Sequence, residues 1–171
     1  MTTLRKHSLD GREIKGRIIM YNLELEKLFS IAISREIEAY EFYKKVTEIA
    51  TNLAVKDLFK QLAKEEMHHM EILEEFKADP TKMMNINAPK TDTKVAEATE
   101  LPSLSADMKP ADAIALAMKK EQEAVEFYRN LGKQCTSSES CRFFENLAKM
   151  ELTHKQKLEN LFVEIGYPEV F

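Results

Sequence analysis

The sequence predicts an all-α fold, a four-helix bundle made of two repeated helical hairpins that a long crossover joins. The chain of 171 residues has four glycines and five prolines, which are too few turn-forming residues for many short strands. Residues 32–76 align without a gap on residues 117–161. Residues 79–109, which lie between the two copies, show no long helical periodicity. These three observations predict the fold class.

The repeat is clearest in two motifs that recur at a constant offset of 85 residues. The first copy opens with "AISREIEAYEFY" at residue 32, and the second opens with "AMKKEQEAVEFY" at residue 117. Further along, "LFKQLAKEEMHHMEIL" from residue 58 aligns with "FFENLAKMELTHKQKL" from residue 143. Each copy is therefore predicted to be the same helical hairpin.

Local signals place the ends of the four helices. We predict three of them over residues 23–50, 53–77 and 137–165, and the third helix in chain order is predicted to begin near residue 110. Pro110 suits a first helical turn, and Gly166 and Pro168 are stop signals for the fourth helix. Thr51 and Thr136 occupy equivalent hairpin turns, where we expect them to be N-caps.

The predicted domain spans residues 22–171, with hairpins 23–77 and 110–165 and the crossover 79–109. A four-helix bundle with one long crossover is the ferritin-like arrangement. Residues 1–21 carry a local charge of +3 and are predicted to be a basic, mobile N-terminal arm. Contact with a partner subunit is the alternative role for this arm.

Composition excludes several classes of protein. The net charge of −4 argues against a nucleic-acid-binding protein, because nucleic acids bind to clustered lysine and arginine. The longest aliphatic stretch, "AIALAM", is too short to cross a bilayer, and no secretory signal is evident, so we expect a cytoplasmic protein. Cys135 and Cys141 have no metal-site spacing, and we expect two incidental free thiols, with a regulatory disulfide as the alternative.

Two overlapping Glu-x-x-His pairs lie in "LAKEEMHHMEIL", residues 62–73. Glu65 pairs with His68, and Glu66 pairs with His69. Residues three apart project from one face of a helix, which is a spacing that suits metal ligands. Because the face of Glu66 is the apolar face of the helix, we predict that Glu66 and His69 are the buried pair.

The second copy of the repeat retains only one of these pairs. Glu151 and His154 are the counterparts of the predicted buried pair, whereas Met150 and Thr153 replace the other. The repeat therefore selects the same pair that helical periodicity selects.

Each of the first and third helices adds one glutamate on an apolar face. These are the repeat-equivalent residues Glu36 and Glu121. The predicted metal ligands are Glu36, Glu66, His69, Glu121, Glu151 and His154. Two divalent cations would balance four buried carboxylates, and this ligand set is that of di-iron and di-manganese bundles. Oxygen and imidazole ligands suit iron or manganese better than a structural zinc site, and a bundle that has lost its metal is the alternative.

Tyr43 and Tyr128 lie seven residues beyond Glu36 and Glu121, two turns along the same helix faces. A buried tyrosine hydroxyl needs a hydrogen-bond partner. Two interpretations stay open for these candidate catalytic residues. Each hydroxyl bonds to a ligand carboxylate or a bound oxidant, or each ring simply packs in the core.

The repeated A-x-x-x-E-x-x-A-x-x-F-Y, followed by L-A-K-x-E-x-x-H, resembles the motifs of the rubrerythrin family of ferritin-like proteins over about residues 23–165. The resemblance implies a di-iron bundle, usually in a homodimer and sometimes with helices exchanged between subunits. It implies reduction of hydrogen peroxide or dioxygen and protection from oxidative stress. It also implies that Glu66 and Glu151 bridge the two ions.

The sequence departs from full rubrerythrins in two ways. They carry a four-cysteine rubredoxin-like domain, which this sequence lacks, so the resemblance implies an external electron donor such as a rubredoxin-like protein. They also have an extra glutamate one turn after the third-helix ligand, where this chain has Ala124. That difference brings the ligand set nearer to bacterioferritin-type centres.

The leading hypothesis is a di-iron oxidoreductase that reduces hydrogen peroxide or dioxygen. A di-manganese catalase-like enzyme is a close variant that needs no electron donor, and zinc is an expected adventitious occupant of such a site. The alternatives from other classes are an iron-handling ferroxidase and a non-enzymatic helical scaffold.

Overall fold

The structure, a computed structural model, describes residues 11–79, 89, 91–135 and 137–166, and it confirms the all-α helical bundle. The helices are α1 (Gly11–Ile49), α2 (Leu53–Ala78), α3 (Val95–Ala98), α4 (Pro110–Gln134) and α5 (Ser138–Gly166). Helices α1 and α2 form the first hairpin, and α4 and α5 form the second. No helix in the described ranges is long and apolar enough to cross a membrane.

Helix α1 begins at Gly11, well before the predicted start near Leu23. The part of the predicted arm from Gly11 onward therefore continues the helix, and residues 1–10 lie outside the described residues. The segment before Leu23 contains two glycines but no proline. A glycine weakens a helix by only about 1 kcal/mol, whereas a proline breaks it, so the prediction overweighted the glycines.

The first hairpin turn uses a different cap from the one predicted. Asn52 is the N-cap of α2, and its side-chain oxygen accepts hydrogen bonds from the backbone N–H groups of Ala54 and Val55 at 2.9 and 3.2 Å. Thr51 instead donates its hydroxyl to the carbonyl of Ala106 at 3.2 Å and so fastens the turn to the crossover. The equivalent Thr136 lies outside the described residues.

The two cysteines form a disulfide across the second hairpin turn, contrary to the prediction of free thiols. Cys135 directly follows α4, and Cys141 lies in the first turn of α5. The turn brings their Cα atoms to 5.4 Å, within the range that a disulfide requires. Spacing along the chain did not reveal this proximity, because it depends on how tightly the hairpin turns.

Two apolar clusters fill the bundle on either side of its middle. The first apolar cluster contains Tyr43, Val46, Val55, Phe59, Leu62, Ile114, Met118 and Leu158. The second apolar cluster contains Phe29, Leu73, Phe76, Tyr128, Leu131, Phe143, Phe144 and Leu147. Along each of the four long helices, the residues between these clusters include the predicted metal ligands. The fold therefore surrounds a polar centre with apolar packing on both sides.

A buried lysine fastens the crossover to α5. The Lys155 ammonium is 1% exposed and lies 2.7 Å from Asp92, 2.8 Å from Glu97 and 3.5 Å from Glu159. Burial by itself lowers the pKa of Lys155, but the hydrogen bonds to Asp92 and Glu97 outweigh it and raise the pKa. Glu159 also accepts the backbone N–H of Ala96 in α3 at 2.8 Å. These contacts hold the crossover along the second hairpin.

We predict that Lys155→Met lowers the free energy of unfolding by about 3 kcal/mol, because it leaves buried carboxylates without their cation. Methionine is the residue at the equivalent position of the first hairpin, Met70, so the change suits a helix. Urea denaturation measures the loss. Lys149→Met, at an exposed position of the same helix, is the control and should change stability by less than about 0.5 kcal/mol. Equal stability of the two variants would contradict the role of Lys155.

Candidate metal centre

The structure brings all six predicted ligands together between the two apolar clusters. Five of them are at most 4% exposed, and the sixth, His154, keeps 11% of its side-chain exposure. They come from four helices: Glu36 from α1, Glu66 and His69 from α2, Glu121 from α4, and Glu151 and His154 from α5. Each of the four glutamates follows an apolar residue one turn earlier on its helix face, and each histidine lies one turn after a buried glutamate, so packing of the helix faces buries all six.

His69 lies at the centre of three carboxylates. Its Nδ1 is 3.0 Å from Glu36 Oε2, 3.1 Å from Glu151 Oε1 and 3.3 Å from Glu66 Oε2. These oxygens come from three different helices. One imidazole nitrogen is therefore surrounded by carboxylate oxygens from both hairpins.

His154 takes the equivalent place in the second hairpin but is less closely surrounded. Its Nδ1 lies 3.8 Å from Glu151 Oε2 and 4.0 Å from Glu121 Oε2. The imidazole rings of His69 and His154 stack with their centroids 5.0 Å apart and their planes 9° from parallel. The two histidines thus close the bundle between α2 and α5.

The neighbouring Glu-x-x-His pair lies away from this centre. His68 is 68% exposed in its side chain and contacts Glu71 at 3.2 Å on the surface of α2. Glu65 is partly buried, and one of its oxygens lies 3.9 Å from Nε2 of His154. The repeat alignment did not identify this last contact, because Glu65 has Met150 as its counterpart.

Each of the two tyrosines reaches across to the opposite hairpin. The Tyr43 hydroxyl donates to Glu121 Oε1 at 2.8 Å, and the Tyr128 hydroxyl donates to Glu36 Oε1. Both rings are fully buried. Of the two interpretations of these tyrosines, the structure therefore supports the hydrogen bond to a carboxylate. In the sequence, each tyrosine lies on the same helix face as the glutamate seven residues before it. Because α1 packs on α4, each hydroxyl instead bonds to the glutamate of the other helix.

Burial and like charge act together on the carboxylates. Burial, followed by the charges of Glu66 and Glu151, raises the pKa of Glu121 well above its usual range. Burial also raises the pKa of Glu36, and the nearby His69 only partly offsets this. For His69, burial lowers the pKa, but the carboxylates of Glu151 and its neighbours outweigh burial and raise it. Without a cation, the centre is therefore costly to keep ionised.

Several polar atoms of the centre have no hydrogen-bond partner among the described residues. They are Glu121 Oε2, both carboxylate oxygens of Glu151, and His154 Nδ1. Glu151 Oε1 lies 3.1 Å from His69 Nδ1, but that nitrogen already forms its hydrogen bond with Glu36 Oε2. Buried polar atoms in proteins are normally paired, and an unpaired carboxylate oxygen costs more than a neutral group. Unpaired oxygen and nitrogen atoms that converge within a buried centre fit a bound metal ion.

Three overlapping groups of ligand atoms each converge within 4.8 Å and could hold a metal ion. They are Glu36 with Glu66 and His69, Glu66 with Glu121 and Glu151, and His69 with Glu151 and His154. Because the groups share members, the donors suit two neighbouring ions better than one. A fourth acidic group, in the crossover and α5, already surrounds the ammonium of Lys155.

We predict that Glu121→Gln stabilises the metal-free protein by about 1 kcal/mol or more, because it removes a buried charge among like charges. The amide oxygen can still accept the hydroxyl of Tyr43. The measurement is urea denaturation at neutral pH with a strong chelator present. Glu126→Gln, at an exposed position of the same helix, should have little effect. A clear loss of stability in Glu121→Gln would show that the metal-free centre is already well paired.

Comparisons with known proteins agree with this geometry. The family model described as Rubrerythrin matches residues 2–77 and 81–162. A solved structure of a hypothetical protein from Pyrococcus furiosus is 29% identical, with 86% of this chain and 93% of that chain covered and a TM-score of 0.54. No curated protein sequence matches the chain. Since the family model covers nearly the whole sequence, the chain belongs to the rubrerythrin family, a ferritin-like family of di-iron proteins.

Proposed function

We propose that this protein is a di-iron oxidoreductase that reduces hydrogen peroxide or dioxygen with electrons from an external donor. One observation carries the proposal. Four carboxylates and two imidazoles from four helices converge in a buried centre, and some of their buried oxygen and nitrogen atoms have no hydrogen-bond partner among the described residues. Membership of the rubrerythrin family supports the same conclusion.

Charge balance supports two divalent ions at this centre. Four ionised carboxylates carry a charge of −4, which two such ions would neutralise. Lys155, the buried lysine of the described core, is engaged by the crossover and offers no charge to the centre. Glu66 and Glu151 would be the carboxylates that the two ions share, as the rubrerythrin resemblance implies. Each belongs to two of the three ligand groups, and a carboxylate has two oxygens to offer. The outer ligands are Glu36, His69, Glu121 and His154.

Iron, when bound, supplies the electrons and the Lewis acidity that reduction of an oxidant needs. The chain itself supplies placement, protons and exclusion of water. Reduction of hydrogen peroxide to two water molecules also consumes two protons. Burial raises the pKa of Tyr43, which keeps its hydroxyl protonated against Glu121. Tyr43 and Tyr128 can therefore hold a proton beside each outer carboxylate, while the two apolar clusters keep bulk water away.

Electrons must come from outside the sequence described. The chain has two cysteines, which are joined to each other, so it cannot supply the four thiolates of a rubredoxin-type iron site. We propose a small electron-transfer protein, such as a rubredoxin-like protein, as the donor. The same proposal includes a homodimer, which exchange of helices between subunits would fit, and a cytoplasmic location.

Metal content tests the proposal most directly. Protein purified from cells supplied with both iron and manganese should contain about two iron ions per chain, measured by mass spectrometry. Glu66→Gln should lose most of this metal, because the carboxylate serves both ions. Glu65→Gln, the adjacent change on the same helix, should keep it and is the matched control.

The other possible outcomes separate the alternatives. About two manganese ions per chain would favour a catalase-like enzyme instead. A large shell of subunits that takes up iron would favour iron handling. A folded protein without metal would leave a helical scaffold, and equal metal loss in Glu65→Gln and Glu66→Gln would contradict the ligand assignment. For an iron-loaded protein, mixing the reduced form with peroxide and then with dioxygen identifies the faster oxidant.

We predict that Tyr43→Phe weakens metal binding by about tenfold, because loss of a hydrogen bond to a ligand carboxylate loosens the ligand. Competition between the protein and a coloured chelator for cobalt(II) measures the affinity. Tyr40→Phe removes a hydroxyl from the same helix without touching a ligand and is the control. Equal affinities of the two variants would show that Tyr43 serves core packing alone.

A further inference from the structure

A cavity of about 240 Å³ opens beside the centre, between α1 and α4. Its inner wall includes Glu36, Glu66 and Glu121, three of the assigned ligands. Its outer end includes Arg35 and Lys120, whose side chains are 26% and 31% exposed. The cavity therefore extends from the surface of the bundle to the ligand carboxylates.

The other sides of the centre are largely covered within the part of the chain that the structure describes. Along the bundle axis, the first apolar cluster lies on one side and the second apolar cluster on the other. Between α2 and α5, the stacked rings of His69 and His154 occupy the gap. His154 keeps a narrow exposed edge beside Glu65, which is the competing approach. Between α1 and α4, by contrast, the cavity reaches three of the ligand carboxylates.

Small side chains keep this cavity open. Ala39 and Ala124 are repeat-equivalent residues, one on each helix, and both line it. They lie one turn after Glu36 and Glu121 respectively, where any larger side chain would extend into the space above the ligand. Together with Phe42, they make the middle of the cavity apolar.

Two positively charged side chains lie across the mouth of the cavity, one extending from α1 to α4 and the other from α4 to α1. Arg35 of α1 lies over the ring of Phe127 in α4, 5.8 Å from its centroid. Lys120 of α4 lies over the ring of Phe42 in α1, at 5.2 Å. The two pairs are equivalent under the 85-residue repeat. Both cations also contact Glu123, at 3.3 and 3.0 Å, so one carboxylate holds them together.

We propose that this cavity is the route by which a small uncharged oxidant reaches the metal centre, and that Arg35 and Lys120 set the rate of its passage. The inference rests on the proposed function. Cation–π contacts and ion pairs at partly exposed positions are weak, so these side chains can move aside. The apolar middle of the cavity suits peroxide or dioxygen better than a hydrated metal ion, which would have to shed its water there.

Nitric oxide is the probe, because it is small and uncharged and binds to iron(II). The iron(II)-loaded protein is mixed with nitric oxide under anaerobic conditions, and stopped-flow absorbance gives the association rate. A nitric oxide scavenger then gives the dissociation rate. A residue that controls passage alone changes both rates by the same factor and leaves their ratio, the affinity, unchanged.

Three substitutions at the cavity should change the two nitric oxide rates, two of them upward and one downward. Arg35→Ala and Lys120→Ala should each raise both rates by about fivefold, since each removes one weak restraint at the mouth. Ala124→Leu should lower both rates, because its side chain fills the space above Glu121. Iron content, measured on every variant, verifies that the centre is intact. The two alanine variants alter partly exposed side chains, so the test stands even if Ala124→Leu fails to fold.

Two control variants make the result specific. Lys44 of α1 also lies over a tyrosine ring and pairs with a glutamate, Tyr40 at 5.8 Å and Glu41 at 4.0 Å, but it does not line the cavity. Lys44→Ala should leave both rates unchanged. Glu65→Gln alters the competing approach beside His154 and should also leave them unchanged.

Different failures have different meanings. Rates that respond to Glu65→Gln but not to Arg35→Ala or Ala124→Leu would place the route between α2 and α5 and overturn the inference. A change in affinity without a matched change in both rates would show that Arg35 and Lys120 act on the metal instead. Wild-type protein that binds no iron would overturn the proposed function and this inference with it. Iron-loaded protein with unaffected rates would overturn the route alone.

Discussion

The structure depends on the burial of four carboxylates at the middle of a helical bundle. Such a group of like charges is unfavourable in an apolar surrounding unless a cation compensates it. Two apolar clusters hold the helices together on either side of the carboxylates. Two imidazoles and two tyrosine hydroxyls surround the carboxylates themselves. The remaining unpaired atoms point inward. Packing therefore stabilises the bundle, while the centre costs stability until an ion occupies it.

Several contacts between the two hairpins occur twice, once from each copy of the repeat. Tyr43 bonds to Glu121, and the equivalent Tyr128 bonds to Glu36. At the surface, Arg35 and Lys120 cross in the same reciprocal way. The crossover breaks this symmetry, because its helix α3 packs on α4 and α5 of the second hairpin. Lys155 and Glu159 are buried beneath it, whereas their counterparts Met70 and Glu74 are partly buried and exposed.

Much of this arrangement could be predicted from the sequence, because it follows from periodicity. Helical spacing identified the buried faces, and the repeat chose Glu66 and His69 over the adjacent Glu65 and His68. The predictions failed where the structure depends on geometry between segments. The disulfide of Cys135 depends on a tight turn, the cap at Asn52 on two local hydrogen bonds, and the early start of α1 on the absence of a breaker. The cavity between α1 and α4 requires knowledge of how two helices pack.

The two histidines show how packing distinguishes residues that the repeat makes equivalent. His69 lies within 3.3 Å of three carboxylates, and their charges outweigh burial and raise its pKa. The carboxylates around His154 lie at 3.8 Å or more, so burial prevails and lowers its pKa. The nearby charge of His69 lowers the pKa of His154 further. The repeat thus selects the residues that reach the centre, and helix packing decides in which direction burial and charge together shift the pKa of each histidine.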